Sequence, residues 1–185
     1  MKKTTTPISL FLGMDGKVKK VMTNEEPSLK VMQDFVGGLI EYAPVKGGTD
    51  FPVPHHALDM VEKQNLCALL KVRDVIVNEE GLLRGLTPNP IATYAAYEGG
   101  WDYPNPIVGP AIIQLEPPID MDELEWVDMD WILDRVTAKE DREFVGSIMG
   151  LIQIAREIGI TEDEMKAIMS DPRSAAYILN SEDGE

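Results

Sequence analysis

The sequence predicts an α+β protein: a small mixed or antiparallel sheet with short helices, followed by an acidic helical C-terminal region. Three observations predict it. Short apolar runs recur up to residue 115, separated by Gly, Pro and Asn turn signals, as strands require. After Glu116-Pro117-Pro118 the apolar spacing changes to the helical period. The charge changes at the same point. Residues 1–115 hold 13 acids and 11 bases, a net of −2, whereas residues 116–185 hold 19 acids and 6 bases, a net of −13. The chain accordingly divides into an α+β core domain over 1–115 and an acidic helical appendage over 116–185.

The elements follow in order. Pro7 to Leu12 reads as a strand, Gly13-Met14-Asp15-Gly16 as a turn, and Lys17 to Met22 as the returning strand of a hairpin. Pro27-Ser28 opens a helix whose Leu29, Met32, Phe35 and Val36 share one face. Gly37-Gly38 ends it, since Gly takes the left-handed cap without strain. Leu39 to Ala43 is a strand. Pro44 to Asn65 holds Gly47, Gly48, Pro52 and Pro54 and reads as a loop, with at most a short helix from His55 to Lys63. Leu66 to Val77 reads as one or two strands, Asn78-Glu79-Glu80-Gly81 as a hairpin turn, and Leu82 to Leu86 as the strand leaving it. Ile91 to Tyr97 suits a short helix, Glu98 to Pro106 a loop, and Ile107 to Leu115 the last strand. Met121 to Arg135 is then a helix. Thr137 caps a long one reaching about Ile158, with Phe144, Ile148, Leu151, Ile152 and Ala155 on one face. Thr161 and Glu164 form a capping box, and Asp171-Pro172 starts a last helix.

Composition bounds the function. The one cysteine, Cys67, lies in an apolar run and reads as a buried thiol; no internal disulfide can form. The ten methionines read as core filler. The apolar stretch after the basic start is too short for a signal peptide, and no run reaches the length of a membrane helix, so a cytoplasmic protein is expected. The run Glu116 to Asp134 contains eight acids and no base. It repels phosphate backbones, so no direct nucleic-acid binding is expected. It would attract a basic host protein, or serve only as a solvated face that aids solubility.

The sequence holds neither G-x-x-x-x-G-K-[ST] nor G-x-G-x-x-G, no H-E-x-x-H and no calcium-loop spacing. His55, Asp59 and Glu62 would share a helical face at i, i+4 and i+7, but one His and two carboxylates are a thin ligand set. No metal and no cofactor is expected. Catalysis needs a base near a nucleophile, and no such pair stands out, so the reading leans away from an enzyme.

The core contains Gly37-Gly38-Leu39-Ile40-Glu41, then Val75-Ile76-Val77-Asn78-Glu79-Glu80-Gly81-Leu82-Leu83, Gly85-Leu86, Asn89, Ala92 and Ile107-Val108-Gly109-Pro110-Ala111. Over about residues 8–115 this string resembles the family called domain of unknown function 3846, which occurs in bacteriophages and mobile elements. The resemblance implies a phage setting and a host-takeover or counter-defence role; it implies no mechanism. The Pro44–Asn65 loop looks longer than the family's usual link, and the region after Glu116 has no counterpart in it.

Trp101, Asp102, Tyr103 and Asn105 lie on a loop bounded by Gly and Pro. Such a segment could stack a ring and bond its edge, or its rings could pin the loop to the core. Tyr42, Asn89, Tyr94 and Tyr97 join it if the strands align, and Arg84 is a cation of the core beside Lys71 and Arg73. The candidate ligand-binding set is Tyr42, Asn78, Glu80, Arg84, Asn89, Tyr94, Trp101, Tyr103 and Asn105. The function expected is that of a non-enzymatic, phage-type accessory protein. It would bind and sequester a small nucleotide-like host signal to counter host defence. The alternative is an acidic interaction module or nucleic-acid mimic that blocks a basic host protein through residues 116–185. A homo-oligomer is compatible with both.

Overall fold

The stretch after Leu66 forms one 12-residue strand, Cys67–Asn78, and the sheet is organised around it. The computed structural model describes residues 8–21, 25–100, 105–117, 120–138 and 145–169. In chain order the elements are β1 (Ile8–Leu12), β2 (Val18–Val21), α1 (Leu29–Val36), β3 (Ile40–Ala43), β4 (Asp50–Pro54), β5 (Cys67–Asn78) and α2 (Pro90–Glu98). They continue with β6 (Ala111–Leu115), β7 (Trp126–Val127), α3 (Met129–Ala138), α4 (Val145–Ile158) and α5 (Glu162–Met169). Every strand pairing is antiparallel. The sheet runs β2-β1-β6-β5-β3, while the first half of β5 also pairs β4 and β7. The register on β6 slips between Val72 and Asp74, where β5 passes from one set of neighbours to the other.

The strand period of two decides what covers each face. Leu10 and Leu12, Val75 and Val77, and Ile113 and Leu115 point into the larger core, with α2 and α4. Their neighbours Phe11, Ile76 and Ile112 point the other way and meet Met32 and Val36 of α1. α1 begins at the N-cap Ser28, whose hydroxyl accepts from the Val31 N–H, and stops at Gly37, φ 81°. α2 is buried on nearly every side: Ile91 to Ala96 are all buried, with the Thr93 hydroxyl satisfied by the Asn89 carbonyl at 2.8 Å, as a helix enclosed between sheet and α4 must be. Gly150 lets α4 approach it, because a Cβ there would collide with the Pro90 carbonyl and the Tyr94 Cβ.

The core does not end at residue 115. Ile132 of α3 and Leu151, Ile152, Ile154, Ala155 and Ile158 of α4 belong to the same apolar cluster as the sheet. Each fully buried Leu or Ile there is worth roughly 1.5–3 kcal/mol of transfer free energy. The apolar cluster therefore joins residues from both sides of position 115.

Some expectations are corrected locally. The Pro44–Asn65 stretch contains β4, and its Pro52 and Pro54 are tolerated because β4 is an edge strand paired on one side only. Leu82 to Leu86 form no strand. Successive turns fold them back, Gly81 N–H to the Asn78 carbonyl and Arg84 N–H to the Glu80 carbonyl. Gly81 supplies no positive φ. It is buried, and a Cβ there would sit 3.0 Å from Val108 Cγ2. β6 starts at Ala111, not Ile107, and β7 follows it. The 121–135 segment is a 3-10 turn, β7 and α3, with Thr137 inside α3. Phe144 and the Asp171-Pro172 start lie outside the described residues. Thr161 and Glu164 do form the capping box: the Glu164 N–H donates to Thr161 Oγ1 at 3.2 Å, and Glu164 Oε2 accepts from the Thr161 N–H at 2.8 Å.

Candidate anion-binding cleft

A cleft of about 530 Å³ opens where the β1–β2 turn, the 3-10 turn after β4 and the last turns of α4 meet. This volume is in the usual range for a small-molecule site. Five residues of the hairpin, Asp15 to Lys19, line it. Asp15 accepts from the Lys17 N–H at 3.3 Å and meets Lys19 Nζ at 3.1 Å. Lys19 first, and the Lys17 N–H second, hold the Asp15 carboxyl below its ordinary value. Strand alternation turns Val18 into the core and leaves Lys17 and Lys19 on the outer side, lining the cleft. On α4, Gln153, Arg156 and Glu157 fall at i, i+3 and i+4, one polar stripe on a helix whose other sides are apolar.

At the cleft wall Glu157 is nearly enclosed, its side chain 11% exposed, and His56 stands over it at 42%. Glu157 Oε1 accepts from the Val18 N–H at 2.9 Å, and Oε2 lies 2.8 Å from His56 Nε2. Burial pushes the Glu157 carboxyl up to about 7, with Asp15 adding to the rise, while the Val18 N–H and Lys17 oppose it. Burial likewise holds the His56 imidazole below its ordinary value, against a backbone hydrogen bond with Val18. Both shifts have one cause: charge is costly at this wall. A 2.8 Å contact needs a hydrogen between the two atoms, and the pair carries no net charge while the Glu157 carboxyl is protonated and His56 is neutral.

The remaining cations are open. Lys17 and Arg156 form no ion pair among the described residues, in a chain with 32 acids and 17 bases. Gln153 Oε1 is buried without a hydrogen-bond partner among the described residues and faces Gly16, φ 68°. On its other side a smaller cleft, about 260 Å³, continues past Gly13, Met14 and Thr87 to Asn89 and Pro90 at the start of α2.

The nine residues expected from the sequence are dispersed. Asn78 is buried, donating to the Val36 carbonyl at 3.0 Å and accepting from the Glu80 N–H at 2.8 Å. Arg84 donates to the Gly37 carbonyl at 2.8 Å, so both side chains tie down the end of α1. Glu80 is exposed beside them, and Tyr42 is half exposed on β3, opposite Ile76. Asn89 caps α2, accepting from the Ala92 N–H at 3.2 Å and donating to the Gly109 carbonyl at 3.0 Å. It borders the smaller cleft. Tyr94 is buried on α2 against Phe51, ring centroids 5.8 Å apart. Asn105 is exposed, and Trp101 and Tyr103 lie outside the described residues.

The face proposed for His55, Asp59 and Glu62 is broken. Asp59 closes the 3-10 turn His55–Leu58 in the left-handed region, φ 55°. Among the described residues no three His, Cys, Asp or Glu gather as a metal would need. Cys67 is buried and burial pushes its thiol far up, which leaves it unreactive. Among the described residues no helix is long and apolar enough to cross a membrane. The sequence reading missed Lys17, Lys19, Gln153, Arg156 and Glu157. The legible signal was the 153/156/157 stripe of polar residues on an otherwise apolar α4. No family model, curated protein or solved structure matches the chain.

Proposed function

We propose that this chain binds and sequesters a small nucleotide-like anion in the cleft between the β1–β2 turn and α4, without transforming it. One observation carries the reading. Lys17 and Arg156 are cations at a concavity that form no ion pair among the described residues, on a chain whose net charge is −15. Phosphate groups take such donors, and a bound ring would find the Gln153 amide at the base of the cleft. The phage setting and the role in counter-defence rest on the sequence resemblance alone. The test is calorimetry of the full chain against nucleoside mono-, di- and cyclic phosphates, with mass spectrometry of the recovered ligand. Micromolar binding and intact ligand support the reading. Silence across the panel overturns it, and turnover abolished by Glu157→Gln would make the protein an enzyme.

A second reading has its own observation. Glu116, Asp122, Glu123, Glu125, Asp128, Asp130 and Asp134 are all exposed, an acidic edge suited to a basic protein. Pull-down from bacterial lysate with the wild type and with Asp122→Asn/Glu123→Gln/Glu125→Gln/Asp130→Asn tests it. Recovery of the same proteins by both sinks it.

A further inference from the structure

We infer that the cleft is built for the dianionic end of a phosphomonoester, and that the His56–Glu157 pair sets its affinity by whether it holds its proton. The inference rests on the binding reading above and adds the ligand class. The charge balance of the cleft carries it. Asp15 is matched by Lys19 at 3.1 Å. His56 and Glu157, joined at 2.8 Å, carry no net charge while the Glu157 carboxyl is protonated and His56 is neutral. Lys17 from the hairpin, which also acts through space on Glu157, and Arg156 from α4 remain, two positive charges that form no ion pair among the described residues. A phosphomonoester carries between one and a half and two negative charges near neutral pH, and a diester carries one. The monoester end therefore fills the site, and the diester leaves one cation unmatched.

The pair adds a pH term. The groups around Glu157 are Asp15 and Lys17 on the hairpin, His56 with its neighbour His55 on the 3-10 turn, Arg156 on α4 and the buried Cys67 thiol on β5. Glu157 gives up its proton as pH rises through about 7 and is ionised by pH 9, and over this range a phosphomonoester stays dianionic. When that proton leaves, a carboxylate stands beside the ligand phosphate and repels it.

The experiment is calorimetry of the full chain with adenosine 5′-monophosphate and adenosine 3′,5′-cyclic monophosphate at pH 7 and pH 9. The open monophosphate is expected to bind about tenfold more tightly than the cyclic one at pH 7, and to weaken about fivefold at pH 9, from one charge at close range. Glu157→Gln, which keeps both hydrogen-bond positions filled, is expected to bind at pH 7 and to show no weakening at pH 9. Lys17→Met is expected to erase the preference for the open form. Equal binding of the two nucleotides, or a pH slope that survives Glu157→Gln, overturns this inference and leaves the binding reading standing. Binding of neither nucleotide overturns this inference, and binding of another panel member would then still uphold the broader reading.

Discussion

On the face of the sheet covered by α1, the apolar core is small and the polar side chains close on the protein itself. Asn78 and Arg84 hold the end of α1, and Gln114 meets Arg73 at 3.1 Å and Glu26 at 3.3 Å. On the opposite face the apolar core is far larger, yet at its rim Lys17 and Arg156 form no ion pair and the buried Gln153 Oε1 has no hydrogen-bond partner among the described residues. The difference separates two jobs that look alike in a sequence. A buried polar group with internal partners supports backbone, and removing it costs stability. A polar group left open at a concavity does little for folding and is available to a ligand.

The largest expected effect tests the large core. Ile154→Ala on α4 should cost about 3–4 kcal/mol by cavity formation. For a chain of this size that lowers Tm by roughly 10 °C. Met32→Ala on the α1 face should cost about 2 kcal/mol. Equal losses in thermal unfolding would break the contrast between the two cores.

The next tests separate support from binding. Asn78→Ala leaves the Val36 carbonyl and the Glu80 N–H without their bonds, and should cost about 2 kcal/mol. Its nucleotide affinity should stay within twofold of wild type. Lys17→Met with Arg156→Met should do the reverse: Tm unchanged and affinity lost at least tenfold. Affinity lost in the first variant and kept in the second would return the site to the β5 end.

Much of the fold was legible because it is local chemistry. The Gly13–Gly16 turn, the Ser28 and Gly37 caps and the Thr161 box each depend on a few adjacent residues. What failed was decided at a distance. Pro52 and Pro54 read as breakers, but an edge position makes them harmless. Leu82-Leu83 reads as a strand, yet Asn78 and Gly81 turn the chain before it can pair. The candidate site failed for the same reason. Lys19 and Gln153 are far apart in sequence, and only the packing of α4 against the hairpin end brings them to one wall. Asn78 and Asn89 were conspicuous because turns and caps select asparagine, and each proved to serve its turn or cap.

The smallest effect sharpens the comparison most, because it reads one group on the open side. The folded Glu157 carboxyl sits near 7, above its ordinary 4.5. A group raised in the folded state favours folding while protonated, so its contribution is present below pH 4.5 and is lost as pH rises through 7. His56 is shifted the other way, so its contribution is lost as pH falls through its lowered value, below 6.5. The interval from pH 7 to 8.5 therefore isolates Glu157. Across it the wild type should lose stability relative to Glu157→Gln, by less than about 1 kcal/mol once solvent screening at the cleft wall is allowed for. Tm measured for both proteins at half-unit steps checks the sign. A wild type that gains on the variant as pH rises would mean that Glu157 is held as a charged ion pair with His56, a closed polar group like those of the α1 face, and the contrast between the two faces would fail there.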